Sequence, residues 1–343
     1  MELSERKKMI LSAVVHRYIT TAEPVSSNVI VAEYKLNLSS ATIRNELSML
    51  EKNDYLWHPH TSAGRIPTDK GYRFYVDNLM QKKKLNSEEK DFIINIYRKS
   101  RELDEMMKNT SQLLSKMTNN IGVVMGPVLN NNLVEHIQFL SISEHRILAV
   151  IVTDTGMVYQ KVITVSGKIN KENLVYLSNY INSELEKKEI DLNDLNSILI
   201  KELERILDIQ KRFKYIHHFL KECFDFQFAE NKIYLDGRIN IMNKPEFRKV
   251  DQLSYILSFI EEESILANVI RSALDSGRTK ITIGKENQQK EIQNCSLITS
   301  KYHIKGKPAG AIVIIGPTRM DYPRMISIAE YISDKLSEIL SDY

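Results

Sequence analysis

Ser39-Ser40-Ala41-Thr42-Ile43-Arg44-Asn45-Glu46-Leu47-Ser48-Met49-Leu50 is the stretch whose reading decides the fold. Ile43, Leu47 and Leu50 recur at spacings of four and three, which puts them on one face of a helix that Ser39 or Ser40 can cap. Thr42, Arg44, Asn45, Ser48 and Met49 fall off that apolar stripe. A helix with this division fits the major groove of DNA. There Arg donates a fork of hydrogen bonds to guanine O6 and N7, Asn brackets adenine N6 and N7, and Thr touches a thymine methyl or a phosphate. An exposed Arg and Asn are also what any solvated helix carries, so the flanking sequence has to decide.

Upstream, Ile10, Leu11, Val14, Val15 and Tyr18 form one stripe, and the spacing predicts a first helix from about Glu5 to Ile19. Pro24 breaks it, and Ser26 or Ser27 can cap a second helix that runs through Tyr34 to a turn at residues 35–38. Downstream, His58-Pro59-His60-Thr61-Ser62-Ala63-Gly64-Arg65-Ile66-Pro67 is punctuated as a β-wing should be. Gly64 allows a tight turn, Pro59 and Pro67 stiffen the arms, and Arg65 is the first candidate for a minor-groove or phosphate contact. Three helices and a wing make a winged helix-turn-helix over residues 1–84. Its candidate DNA contacts are Ser40, Thr42, Arg44, Asn45 and Ser48 on the reading helix, with His60, Ser62, Arg65 and Arg73 in and after the wing. His58 and His60 have no Cys, Asp or third His nearby, so a packed or DNA-facing pair is preferred to a metal site.

Beyond the lysine-rich junction at Gln81–Lys84, residues 85–118 read as linker helices. From Ile121 the period changes. Ile121–Met125, His136–Ile142, Ile147–Val152 and Val158–Val165 are rich in branched residues and read as strands of a sheet. Residues 168–236 contain neither Gly nor Pro and repeat leucine and isoleucine at helical spacing, so they read as a mainly helical insert. Strands return at Lys280–Gly284, Ser296–Ile304 and Ala311–Ile315, and an amphipathic helix from Met325 to Leu340 follows. That order predicts a multidomain α+β protein in which residues 119–167 and 237–343 form one domain interrupted by the insert.

The net charge of +3 hides an asymmetry, because residues 1–84 carry 13 Lys/Arg against 9 Asp/Glu. A basic surface concentrated there fits phosphates. No run approaches the roughly 20 apolar residues of a membrane span, and no signal-peptide core opens the chain, so a cytoplasmic protein is expected. Cys223 and Cys295 stand apart from each other and from any ligand pattern, which predicts inert thiols. Gly306-Lys307-Pro308-Ala309-Gly310-Ala311 lacks the order of a phosphate loop and precedes a strand, so a β-turn is expected. Glu261-Glu262-Glu263 point different ways on a helix and read as a solvated face or loop. With no triad or metal motif, neither an enzyme nor a cofactor is expected.

Ser40–Leu47, Pro59–Thr68 and Gly71-Tyr72-Arg73-Phe74-Tyr75-Val76-Asp77 closely resemble the HrcA repressors. The likeness continues at Ile283-Gly284-Lys285-Glu286-Asn287, at Gly306–Gly310 and at Ile315-Gly316-Pro317-Thr318-Arg319-Met320-Asp321-Tyr322. The resemblance implies a winged helix, a GAF-like domain and an inserted dimerisation domain. It further implies a homodimer on an inverted-repeat operator, CIRCE, upstream of chaperone operons, kept active by a GroEL-type chaperonin. Ser26 and Asp54 stand where that family commonly has Gly. Asp tolerates the left-handed conformation better than most residues, so Asn53-Asp54 can still end the reading helix. The GAF-like likeness leaves a second reading, a regulator whose central domain senses a small metabolite.

Overall fold

Ile10, Leu11, Val14 and Val15 are fully buried, as are Ile30, Ile43 and Leu50, so three amphipathic helices close around one small core. The structure, a computed structural model, describes residues 3–34, 38–59, 64–100, 102–127, 134–154, 158–164, 171–187, 232–274 and 277–341. Helices α1 (Glu5–Thr21), α2 (Ser27–Tyr34) and α3 (Ser40–Lys52) lead into a two-stranded antiparallel ribbon, β1 (Leu56–Trp57) with β2 (Ile66–Pro67). This is the order of elements a winged helix-turn-helix has. Helix α1 runs two residues beyond the expected Ile19, because Ala22 takes the left-handed conformation and donates its N–H to Tyr18 before Pro24 intervenes. Helix α4 (Asp69–Phe74), capped by the Thr68 hydroxyl, follows the ribbon.

Helices α5 (Ser87–Tyr97) and α6 (Leu103–Thr118) occupy the linker, joined by a buried hydrogen bond between the Tyr97 and Thr110 hydroxyls. Asn86 caps α5 with a reciprocal bond from Glu89, the arrangement that fixes a helix start.

The chain forms two compact units. The first comprises Met1–Val124, Tyr234–Lys301 and Ala311–Asp334; the second comprises Met125–Ile233, Tyr302–Gly310 and Lys335–Tyr343. The remaining elements of the larger sheet are β3 (Ile121–Met125), β7 (Ile233–Asp236), β8 (Thr279–Ile283), β9 (Cys295–Ile304) and β10 (Lys307–Pro317), in the spatial order β7-β3-β10-β9-β8. Every residue of β3 and Ala309–Pro317 of β10 are buried, so these central strands are covered on both faces. Helix α6 lies close to β3 at Gly122, and the C-terminal helix α11 (Tyr322–Ser341) meets β9 through Ser296–Tyr322 and Ser300–Ser333 hydroxyl pairs. Between β7 and β8 run α8 (Arg238–Met242), α9 (Val250–Glu261) and α10 (Glu263–Leu274). Glu261, Glu262 and Glu263 are exposed at the α9–α10 junction, as a solvated loop should be. The Gly306 segment is the turn of the β9–β10 hairpin, with Lys305 and Gly306 both at positive φ.

In the second unit β4 (Val134–Ser143), β5 (Arg146–Thr153) and β6 (Val158–Thr164) form an antiparallel meander. Helix α7 (Lys171–Leu185) packs on β4 with Leu174, Leu177 and Ile181 buried. Asn182 exchanges hydrogen bonds with both the N–H and the carbonyl of Ile137, and Ser178 accepts from the Phe139 N–H, so α7 satisfies the backbone of an edge strand.

Two sequence expectations change. The four strand runs after residue 121 were read as one sheet, yet β3 joins the five-stranded sheet while β4–β6 form their own. Ile233–Asp236, at the end of the segment read as helical, is strand β7; Tyr and Ile favour a strand once a neighbouring backbone is there to pair with. Residues 188–231, the greater part of the expected insert, lie outside the described residues.

Candidate nucleic-acid interface

The expected reading helix is built from its first residue. Ser39 caps α3, its Oγ accepting the Thr42 N–H at 3.1 Å and lying 2.9 Å from the Thr42 hydroxyl. The Ser40 hydroxyl donates to Asn28 Oδ1 at 2.7 Å and lies 3.0 Å from Ser27 Oγ. Ser40 and Thr42 are thus committed to the joint between α2 and α3 and to its cap. Ser26 accepts the Val29 N–H, supplying at the start of α2 a hydrogen bond that a glycine lacks.

One outward face remains. Arg44 and Asn45 are exposed and Ser48 half-buried, and none of the three side chains bonds to a described residue. Met49, 42% exposed, extends that face.

The C-terminus of α3 is fastened to the ribbon. Asp54 takes φ 62°, the left-handed conformation expected where the reading helix ends, and the Tyr55 N–H returns to the Leu50 carbonyl at 2.9 Å. The Thr68 hydroxyl donates to the Asp54 carbonyl at 2.6 Å and Lys70 Nζ to the Asn53 carbonyl at 2.8 Å.

Within the ribbon, Arg65 is held three ways. Its N–H and carbonyl pair with Val25 at 2.8 and 2.9 Å, joining the wing to the α1–α2 turn. Its Nε donates to Glu51 Oε2 at 2.7 Å, and the other oxygen of Glu51 meets His58 Nδ1. The Arg65 and Glu51 side chains are 22% and 23% exposed, and the two terminal guanidinium nitrogens of Arg65 bond to no described residue. Gly64 has a further task. A Cβ there would sit inside the Val25 backbone, so the residue is needed for close approach of two backbone segments.

Arg73 lies elsewhere. Its Nε and a terminal nitrogen bind both oxygens of Glu286 at 2.8 and 2.5 Å, and the remaining bonds go to the Ile281 carbonyl at 2.7 Å and Asp77 at 3.2 Å. With these four of its five N–H groups engaged, Arg73 faces the sheet and not the outward face of α3. His60 and Ser62 lie outside the described residues. Glu51 and Glu286, which hold these two arginines, could not be assigned as their partners from the sequence, since a carboxylate's partner 14 or 213 positions away follows no local period.

Among the described residues no group of three His, Cys, Asp or Glu is placed to hold a metal, and no helix is long and apolar enough to cross a membrane. Cys295 is buried and its thiol is pushed up to about 12 by desolvation, which keeps it protonated and unreactive at neutral pH. Cys223 lies outside the described residues.

Fold and site together define a class: a mixed α and β protein in which a three-helix head with a ribbon is joined to a sheet covered by helices. The family model described as HrcA protein C terminal domain matches residues 104–326. A heat-inducible transcription repressor HrcA of Clostridium tetani is 39% identical over 348 residues, covering 100% of this chain and 97% of that protein. Its counterpart from Desulforamulus reducens is 38% identical over 341 residues, covering 99% and 98%. The chain belongs to the HrcA family of heat-inducible transcription repressors. A crystal structure described as that of a hypothetical protein at 2.2 Å resolution shares the fold, with TM-score 0.61 and 22% identity over 99% of this chain and 98% of the other.

Proposed function

We propose that the protein represses chaperone operons by binding an inverted-repeat operator of the CIRCE type as a homodimer. In this reading residues 1–84 are the winged-helix reader, the five-stranded sheet with its helices is the GAF-like domain, and residues 168–236 help join two protomers. A GroEL-type chaperonin maintains the active form in the cytoplasm, and no catalytic step is involved. The observation that carries the reading is the outward face of α3. Arg44, Asn45 and Ser48 have no partner among the described residues, while Ser40 and Thr42 beside them are tied into the fold. A guanidinium and an amide left free side by side are suited to base edges. One reading helix spans too few base pairs for selectivity in a genome, so two on a two-fold axis are the physical expectation.

A metabolite sensor is less well supported. A cleft of about 270 Å³ lies among Asn268, Ser272, Lys280, Thr282, Glu286 and Thr299, near the lower limit for a small-molecule site. The buried amide beside it, Asn287, already has its bonding capacity filled by Thr282, Gly284, Ile292 and Cys295.

Gel-shift titration against an inverted-repeat duplex tests the proposal. Arg44→Ala is expected to lose about 1–3 kcal/mol of discrimination between operator and random duplex while leaving the fold intact. An unaltered protein that shows no preference for the inverted repeat overturns the reading.

A further inference from the structure

Three of the motifs that carry the family resemblance lie far apart in the chain: Gly71–Asp77, Ile283–Asn287 and Ile315–Tyr322. None lies on α3, yet they converge on one another. Arg73 from α4 grips Glu286 with two hydrogen bonds. Asp69, on the same helix, accepts the Lys285 N–H at 3.0 Å, and its carboxylate fills the space a Cβ on Gly284 would need, at a backbone with φ 56°. Tyr72 is buried against Tyr322 with ring centroids 5.9 Å apart. Arg319 reaches back to the Ile19 carbonyl at 2.7 Å while its Nε holds Glu246 at 2.5 Å. Lys82 and Lys83 add pairs to Glu330 and Asp321. The head is therefore fixed to the sheet by an aromatic contact ringed with charged hydrogen bonds.

Such a joint does more than add stability. A dimer reads two half-sites at once, so the angle at which each reading helix leaves the rest of its protomer determines the separation of half-sites both can enter. A bidentate Arg–carboxylate pair fixes orientation as well as distance. We propose that Arg73 and Glu286, with Asp69 seated on Gly284, are positioning residues that set the spacer length of the preferred operator. This assigns a role to the Gly284-Lys285-Glu286 segment that the contacts of α3 leave without one. It rests on the DNA-reading proposal above.

The test measures affinity of the full-length protein for inverted repeats whose central spacer is lengthened or shortened in steps of one base pair. The unaltered protein is expected to show one sharp optimum. In Arg73→Glu and in Glu286→Arg, the advantage of that optimum over spacers two base pairs away should fall about fivefold, the size a partly exposed pair supports. The double exchange Arg73→Glu with Glu286→Arg should restore most of it. Glu286→Gln, which keeps the shape and loses the charge, gives a milder broadening and covers the case in which a reversal fails to fold. A merely stabilising contact would lower affinity equally at all spacers. A variant with the wild-type optimum and sharpness, or an unaltered protein with a flat profile on inverted repeats it does prefer to random duplex, overturns the clamp alone. Hydrogen exchange without DNA supplies an independent readout. Amides of 72–77 and 281–286 should exchange faster together in Glu286→Arg and recover in the double exchange; unchanged exchange overturns the clamp even if no operator is bound.

Discussion

A guanidinium can be held along its Nε edge and still present two terminal nitrogens to a phosphate. That is the geometry at Arg65, whose Nε is taken by Glu51 at 2.7 Å while its terminal nitrogens bond to no described residue. The carboxylate comes from the last turn of α3 and also holds His58, so one side chain aligns the ribbon with the helix proposed to read DNA. Ordering a long side chain before binding removes an entropic cost that DNA would otherwise impose. Glu51→Ala should therefore weaken operator binding about fivefold although it removes a negative charge near the DNA. Arg65→Ala should weaken it at least as much, and the double variant no further than Arg65→Ala alone. Trp57, the sole tryptophan and 52% exposed on β1, offers a fluorescence signal for these titrations. Fully additive losses would show that Glu51 does not act through Arg65.

At the scale of elements, the loop after β8 depends on Asn287. Its amide nitrogen lies 2.9, 3.1 and 2.9 Å from the carbonyls of Gly284, Ile292 and Cys295, and its oxygen accepts from Thr282 at 2.7 Å. The residue is 5% exposed, so Asn287→Ala strands several buried polar groups and should cost about 2–4 kcal/mol, read from the denaturant midpoint. A loss below about 0.5 kcal/mol would mean that water replaces the amide. This loop also shows where sequence reading stops. Helix α3 was legible because its apolar spacing and its cap lie within one short segment, whereas the left-handed residue at Asp54 was reached only through the family resemblance. Strand residues announce an extended backbone but not the partner, so β3 was grouped with β4–β6 although it pairs with β7 and β10. The pairing of Arg73, expected as a DNA contact, with Glu286 was illegible for the same reason, because the two are 213 positions apart.

For the whole molecule the question is which positive charges DNA can use. Residues 1–84 contain 13 Lys/Arg, but Arg73, Lys82 and Lys83 are paired with Glu286, Glu330 and Asp321 of the later chain. Arg6 and Arg17 are paired within the head, to Glu46 and Glu33. Part of the basic excess that pointed to phosphates is thus engaged in holding the protein together, while Lys7, Arg44, Lys52, Lys84 and the terminal nitrogens of Arg65 bond to no described residue. Counterion release depends on the phosphates neutralised and not on the sum of basic residues, with log K falling by about 0.9 per log unit of salt for each contact. Arg65→Ala, removing one contact per half-site, should flatten the salt dependence of a dimer by about two. Lys82→Ala with Lys83→Ala removes twice as many charges and should leave that slope within about half a unit of the unaltered protein, because those lysines face carboxylates. Equal flattening by both variants would mean that the lysine junction leaves Glu330 and Asp321 to meet the DNA backbone, and the head would then have to rearrange on binding.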